Sequence, residues 1–248
     1  MKGLINKVIY GDCLEIMEQI DDCSVDMILC DLPYGMTNNR WDSEIPLDRL
    51  WDQCERIIKQ NRAMVFTASN PFTASLIVSN KKLFRYEWIW QKTVGSNQMN
   101  TSFGPLKAHE SVLIFSKGRP LYNPQLTEGK PYTQERSGFD RGTYGEQEGW
   151  KTENNGTRHP KSVVVIANPR IKGGYPTQKP VALFKYFVLT YSNEGDVVLD
   201  CTCGSGTTAE ACINTGRKFI CIDNNRDAVN RTRRRIETLL PGGQRKGN

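Results

Sequence analysis

Two short segments of this 248-residue chain carry side chains in patterns that could do chemistry. The first is Asp31-Leu32-Pro33-Tyr34-Gly35, which follows the apolar run 25–30 directly. A carboxylate at the end of a buried strand can accept one N–H of an aromatic amine while a backbone carbonyl, that of Leu32 or Pro33, accepts the other. The amine nitrogen, whose lone pair is otherwise delocalised into its ring, is then held nearer tetrahedral geometry and aimed at an electrophilic methyl group. Pro33 removes a competing N–H donor and stiffens the turn. Tyr34 offers a face on which a base rotated out of its stack can rest. Asp, Pro and Gly are equally ordinary turn residues, so the tetrapeptide alone is evenly balanced between a site and a strand-ending turn.

The second segment is Asp200-Cys201-Thr202-Cys203-Gly204-Ser205-Gly206-Thr207-Thr208. Its glycines let the backbone approach a ligand closely, and the turn lies between a strand and a helix. Nineteen residues after Gly204 comes Asp223, at the end of the next apolar run, where a carboxylate can accept both hydroxyl hydrogens of a ribose. Together they predict an adenosine-containing cofactor. No lysine stands where a nucleoside-triphosphate loop would need one. Gly204, Gly206 and Ala209 also satisfy the dinucleotide pattern G-x-G-x-x-A, which keeps a nicotinamide enzyme as a rival. Against it, only about forty residues follow Gly206, too few for the rest of a dinucleotide fold unless the strand order is permuted.

Short β-branched runs alternating with helical spacing must position these segments, the pattern of an α/β sheet. Strands are predicted at 8–10, 25–30, 63–67, 83–91, 111–116, 197–199 and 219–222. Leu47, Leu50, Trp51, Cys54, Ile57 and Ile58 recur at helical spacing, as do Val181, Phe184, Phe187, Val188 and Tyr191. Further helices are predicted at 14–20, from the glycine turn to about Gly216, and at 226–240. No run approaches membrane-spanning length and no signal peptide opens the chain, which predicts a cytoplasmic protein. The eight cysteines lie mostly inside apolar runs, with no CxxC and two histidines, so they read as buried thiols and no metal is expected. A net charge of +6 suits a nucleic-acid partner without demanding one.

At this point the chain resembles a family. Asp31-Leu32-Pro33-Tyr34 resembles the (Asp/Asn/Ser)-Pro-Pro-(Tyr/Phe/Trp) motif of amino-methylating DNA methyltransferases, and the 200–208 segment resembles their Asp-Pro-Phe-x-Gly-Ser-Gly-Thr-Thr motif. Catalytic motif first and cofactor motif last is the order of the permuted beta class. Tyr10-Gly11-Asp12-Cys13-Leu14-Glu15 resembles its opening segment, Tyr175-Pro176-Thr177-Gln178-Lys179-Pro180 its His-Pro-Thr-Gln-Lys-Pro motif, and the stretches 88–92 and 109–115 two of its strands.

The resemblance implies a Rossmann-like sheet, mixed and mostly parallel, with helices on both faces. It implies S-adenosylmethionine as cofactor, double-stranded DNA as substrate and a place in DNA modification. Asp31, Leu32, Pro33 and Tyr34 would be catalytic. Asp200, Gly204, Ser205, Gly206 and Thr207 would cradle the cofactor, with Asp223 on its ribose, Asp12 beside its adenine, and Thr177 and Lys179 at its methionine end. An initial Asp in the tetrapeptide leans towards adenine N6, with cytosine N4 left open. Leu32 departs from the first Pro of the motif but keeps its carbonyl. Cys201 and Thr202 replace Pro and Phe, losing apolar surface near the cofactor.

Residues 117–161 hold eight Lys/Arg, seven Gly and five aromatics with little apolar periodicity, too long for an ordinary loop. There Tyr122, Tyr132, Phe139, Tyr144 and Trp150 interleave with Lys117, Arg119, Lys130, Arg136, Arg141, Lys151 and Arg158, a mixture suited to phosphates and bases. The organisation expected is a catalytic half at 1–116, a target-recognition insertion at 117–162, a cofactor-binding half at 163–240 and a tail at 241–248. The loop 94–108 is expected near the base, and Arg231, Arg233, Arg234 and Arg235 to form a solvated face. Rival readings are a catalytically silent DNA-binding regulator and a methyltransferase acting on RNA or a protein glutamine. The resemblance leaves room for a homodimer and for a cognate restriction endonuclease.

Overall fold

A computed structural model describes residues 1–35, 45–140, 146–168 and 178–240. In chain order the elements are β1 (Lys7–Tyr10), α1 (Cys13–Met17), β2 (Met27–Asp31), α2 (Leu47–Ile57), β3 (Met64–Ala68), α3 (Phe72–Ser79), β4 (Phe84–Ser96) and β5 (Lys107–Phe115). Six short strands follow: β6 (Thr127–Glu128), β7 (Tyr132–Arg136), β8 (Phe139–Asp140), β9 (Glu146–Gln147), β10 (Trp150–Asn154) and β11 (Thr157–Arg158). The chain closes with β12 (Val163–Val165), α4 (Val181–Tyr191), β13 (Val197–Asp200), α5 (Thr207–Ile213), β14 (Lys218–Asp223) and α6 (Arg226–Leu239).

Eight strands form one sheet in the order β1-β14-β13-β2-β3-β5-β4-β12. From β1 to β3 every pair is parallel, β5 runs antiparallel to both β3 and β4, and β12 is parallel to β4. Residues 27–30 lack a polar alternate because both sides of their strand are covered, and Asp26 just before them is buried in ion pairs with Lys59 and Arg62. Ile28 and Cys30 join the layer formed with α1, α2 and α3, whereas Met27 and Leu29 join the layer formed with α4, α5 and α6. The same two-residue alternation sends Ile220 and Ile222 one way and Phe219 and Cys221 the other. The mixed, mostly parallel sheet with helices on both faces is thus the architecture expected from the sequence.

Several boundaries differ. The predicted 83–91 strand continues to Ser96, and its partner begins at Lys107, so much of the expected 94–108 loop is the end of a β-hairpin whose Met99 and Phe103 are exposed. Seven of the eight cysteines are buried and all are free; Cys23, in a polar turn, is the exposed one.

The chain divides into two compact units: Met1–Asn123 with the chain from Ser162 onward, and Pro124–Lys161. Residues 117–123 belong with the large unit, where the Leu121 N–H donates to the Asn61 carbonyl and the Asn123 N–H to that of Thr190. The small unit is built of three two-stranded ribbons, β10-β7, β11-β6 and β8-β9.

Candidate active site

The carboxyl ends of the parallel strands bring the predicted residues to one edge of the sheet. The chain moves outward from β2 to β3 on one side and from β13 to β14 on the other, so the reversal in strand order falls between β13 and β2. Open α/β sheets bind ligands at such a crevice. Asp31 ends β2, Asp200 ends β13 and Asp223 ends β14; Asp31 pairs in register with Thr67, Asp200 with Cys221, and Asp223 with Tyr10. The two segments also touch: the Thr202 hydroxyl donates to the Asp31 carbonyl at 3.1 Å, and the Cys201 N–H to Cys30 Sγ at 3.2 Å. The second contact needs an N–H that a proline at 201 would lack.

Asp31 sits in a dense polar cluster. Its Oδ1 accepts from the Tyr34 hydroxyl at 2.8 Å and from the Thr67 hydroxyl. Its Oδ2 accepts from Lys179 Nζ at 2.7 Å. The same ammonium stands 3.3 Å from Glu110 Oε2, whose partner oxygen receives Lys92. Asp31, Lys179, Glu110 and Lys92 therefore form a chain of alternating charge, largely out of solvent. Burial alone would push the Lys179 ammonium down and the Glu110 carboxyl up, since it disfavours charge. The opposite charges win: Asp31, with Glu110 behind it, raises Lys179 well above the ordinary lysine range, and Lys179 and Lys92 hold Glu110 below the ordinary carboxylate range. Lys179, expected at the methionine end of the cofactor, here pairs with Asp31.

Leu32 is buried, and Tyr34 is stacked on Phe72 with ring centroids 5.3 Å apart. Lys179 Nζ lies 5.5 Å from the Tyr34 ring centroid. Burial, then the neighbouring Asp31 carboxylate, pushes the Tyr34 hydroxyl well up, so it stays a donor to Asp31.

The glycine turn is held from within. Gly204 and Gly206 take positive φ values of 50° and 80°, which only glycine adopts freely. The Asp223 carboxylate accepts the Gly204 and Asn225 N–H groups, both at 2.8 Å. Thr232 donates to the Gly204 carbonyl at 2.8 Å, and Arg235, ion-paired with Glu210, donates to that of Ser205 at 2.9 Å. Asp200 accepts from the Thr208 hydroxyl and from the Thr202 N–H. Burial pushes its carboxyl up to about 7 and raises that of Asp223 as well. Asp12 caps α1, with Oδ1 accepting from the Leu14 N–H at 2.8 Å. Ser205 and Thr207 are buried in the turn, and the Thr207 hydroxyl donates to the Lys179 carbonyl at 3.2 Å, linking the turn to the lysine.

Of the predicted residues, Asp31, Tyr34 and Lys179 meet in one cluster, while Asp200, Gly204, Ser205, Gly206, Thr207 and Asp223 form the adjoining turn. Thr177 lies outside the described residues, as do Arg141 and Tyr144 of the insertion. Sequence reasoning missed Thr67, Lys92, Glu110 and the braces Thr232 and Arg235. A lone acid at the start of the otherwise apolar 109–115 strand was the available signal for Glu110. Arg231, Arg233 and Arg234 are exposed as expected, Arg233 also donating to the Val8 carbonyl, whereas Arg235 is half-buried and grips the turn. The role of Arg235 is one that a charge count does not reveal.

Comparisons with known proteins agree with this architecture. DNA adenine methyltransferase YhdJ of Escherichia coli (strain K12) is 28% identical over 247 residues, covering 93% of this chain and 82% of that protein. Type II methyltransferase M1.MboII of Moraxella bovis is 27% identical, covering 91% and 94%. Among solved structures, the M1.HpyAVI-SAM complex superposes with a TM-score of 0.64 at 21% identity, over 92% of this chain and 98% of that one. The cytosine-N4-specific PvuII DNA methyltransferase does so with a TM-score of 0.67 at 14% identity, over 91% and 84%. These likenesses show a shared fold. Among the described residues no helix is long and apolar enough to cross a membrane. The sequence pattern of the N6/N4 DNA methylase family matches residues 25–234, from the strand that carries Asp31 to the helix that braces the glycine turn, and the chain belongs to that family.

Proposed function

We propose that this DNA methyltransferase transfers a methyl group from S-adenosylmethionine to N6 of adenine in double-stranded DNA, with Asp31 orienting the amine. The carrying observation is the direct hydrogen bond between the two segments, Thr202 to the Asp31 carbonyl, which ties the candidate amine acceptor to the glycine turn. The leading aspartate of the tetrapeptide and the similarity to an adenine methyltransferase support adenine as the base.

The donor set beside the turn fits the cofactor. Asp12 and Asp223 offer carboxylates to amine and hydroxyl hydrogens beside the glycine turn. Residues 205–210 contain no base to meet a triphosphate. When bound, the cofactor supplies an electrophilic methyl on a sulfonium sulfur.

The chain's own residues do the rest. Asp31 accepts one N–H of the flipped adenine and a carbonyl of Leu32 or Pro33 the other, so that the lone pair faces the methyl carbon. The N–CH3 bond forms as the S–CH3 bond breaks, the thioether leaves with the bonding pair, and one amine proton departs to solvent past Asp31. Tyr34 and Thr67 keep the Asp31 carboxylate fixed by donating to it. Rotating the base from its stack costs a few kcal/mol, which contacts in the pocket offset.

Duplex DNA incubated with methyl-labelled S-adenosylmethionine and hydrolysed to nucleosides tests the reading. Label is expected in N6-methyladenine, and Asp31→Ala should lower incorporation by roughly 10²-fold or more. Label in N4-methylcytosine would overturn the adenine assignment. An undiminished Asp31→Ala variant would remove Asp31 from the chemistry.

A further inference from the structure

Within the small unit, β7 and β10 make a ribbon long enough to have two distinct faces. Tyr132 pairs with Asn154, Gln134 with Thr152 and Arg136 with Trp150; between these, Thr133 pairs with Glu153 and Glu135 with Lys151. Successive strand residues project to opposite sides and directly paired residues share a side, so the register sorts the charges. One face holds both carboxylates, Glu135 and Glu153, with Lys151 Nζ 3.7 and 3.4 Å from them. The other face has no acid at all.

That acid-free face is built at both ends. Arg136 lies over the Trp150 ring, 5.4 Å from its centroid. At the far end Arg158 lies over Tyr132 at 4.8 Å, and it donates to Asn154 Oδ1 at 2.6 Å and to the Lys130 carbonyl. Between these two ring-backed guanidiniums stands Gln134, exposed at the centre of the ribbon.

We infer that this face enters the major groove of DNA, with Gln134 and Arg136 reading base edges and so setting the methylated sequence. The inference rests on the DNA-methyltransferase reading. A two-stranded ribbon fits a major groove about 12 Å wide. The glutamine amide presents a donor and an acceptor side by side, the pair that matches adenine N6 and N7, and a guanidinium fork matches guanine O6 and N7. Stacking on Trp150 holds Arg136 in place before contact, so less freedom is lost on binding. The opposite face would turn two carboxylates towards phosphates.

The test uses the full chain, S-adenosylmethionine and a duplex library with randomised positions, read by modification-sensitive sequencing. The wild type should define one preferred site. Gln134→Ala and Arg136→Ala should each relax one position of it, lowering discrimination there roughly tenfold. Glu135→Gln, on the acidic face, should leave the site unchanged. A methylating wild type whose site survives both face substitutions, or changes only in Glu135→Gln, overturns the ribbon assignment alone. A folded wild type that methylates no duplex overturns the ribbon assignment together with the reading beneath it.

Discussion

The Lys179 ammonium stands 2.7 Å from Oδ2 of Asp31, although 148 residues separate the two in the chain. This pair makes the candidate amine acceptor part of a buried charge chain that continues through Glu110 to Lys92. A carboxylate so anchored presents a fixed acceptor to an incoming amine, and its geometry depends on residues from four strands and the segment before α4.

Removing Lys179 takes the ammonium from Asp31 and leaves Glu110 with Lys92 alone. Lys179→Met is expected to cost about 3–5 kcal/mol at pH 7, the range for breaking one partner out of a buried pair. Because Lys179 and Lys92 hold Glu110 below the usual carboxylate range, the stability this group contributes is present above its unfolded pKa and lost as pH falls through the lower folded value. The gap between wild type and variant should therefore close in acid. Urea unfolding at pH 7 and at about pH 3, below the unfolded glutamate value of roughly 4.3, checks this, and an equal gap at both would show that the pair is not what Lys179 supplies.

Asp200 gives the opposite sign. Burial lifts its carboxyl to about 7, above the unfolded value of roughly 3.9, so its protonated form favours the fold. That contribution is full below about pH 4 and is lost as pH rises towards 7. Asp200→Asn stays neutral throughout and should remove this decline. Comparing denaturant midpoints of the two proteins at pH 5 and pH 8 isolates it, because the other carboxylates are common to both. Parallel profiles would mean that Asp200 is ionised in the folded protein at both pH values.

Gly206 has no room for a side chain. A Cβ there would lie 2.5 Å from Cγ2 of Thr232, on a backbone at φ +80°. Gly206→Ala is expected to lose about 2–4 kcal/mol from left-handed strain and overpacking together. Adding Thr232→Ser, which removes Cγ2 but keeps the hydroxyl that donates to the Gly204 carbonyl, should recover much of the packing part, and with it some affinity for S-adenosylmethionine, measurable by titration calorimetry. Full tolerance of the single substitution would argue that the turn rearranges freely.

Periodicity made most of the sheet legible, since a strand covered on both faces must be apolar and residues 27–30 are. The type of fold, the candidate tetrapeptide and the glycine turn were readable because each needs particular residues within a few positions of one another. The charge partners were not. Lys92 and Glu110 lie on neighbouring antiparallel strands near Lys179; Glu110 stands out locally only as a lone acid, and nothing in the local spacing marks Lys92 or pairs the two.

The chain order of residues thus determined, by itself, which segments end at strand termini and which chemistry each could carry, because local backbone preferences and burial patterns are written in short windows. Tertiary structure alone decided that Thr202 reaches the Asp31 carbonyl, that Lys179 is held between two acids, and that Arg235 braces the glycine turn. Those outcomes depend on strand order and on desolvation, and both arise only when distant parts of the chain share one interior.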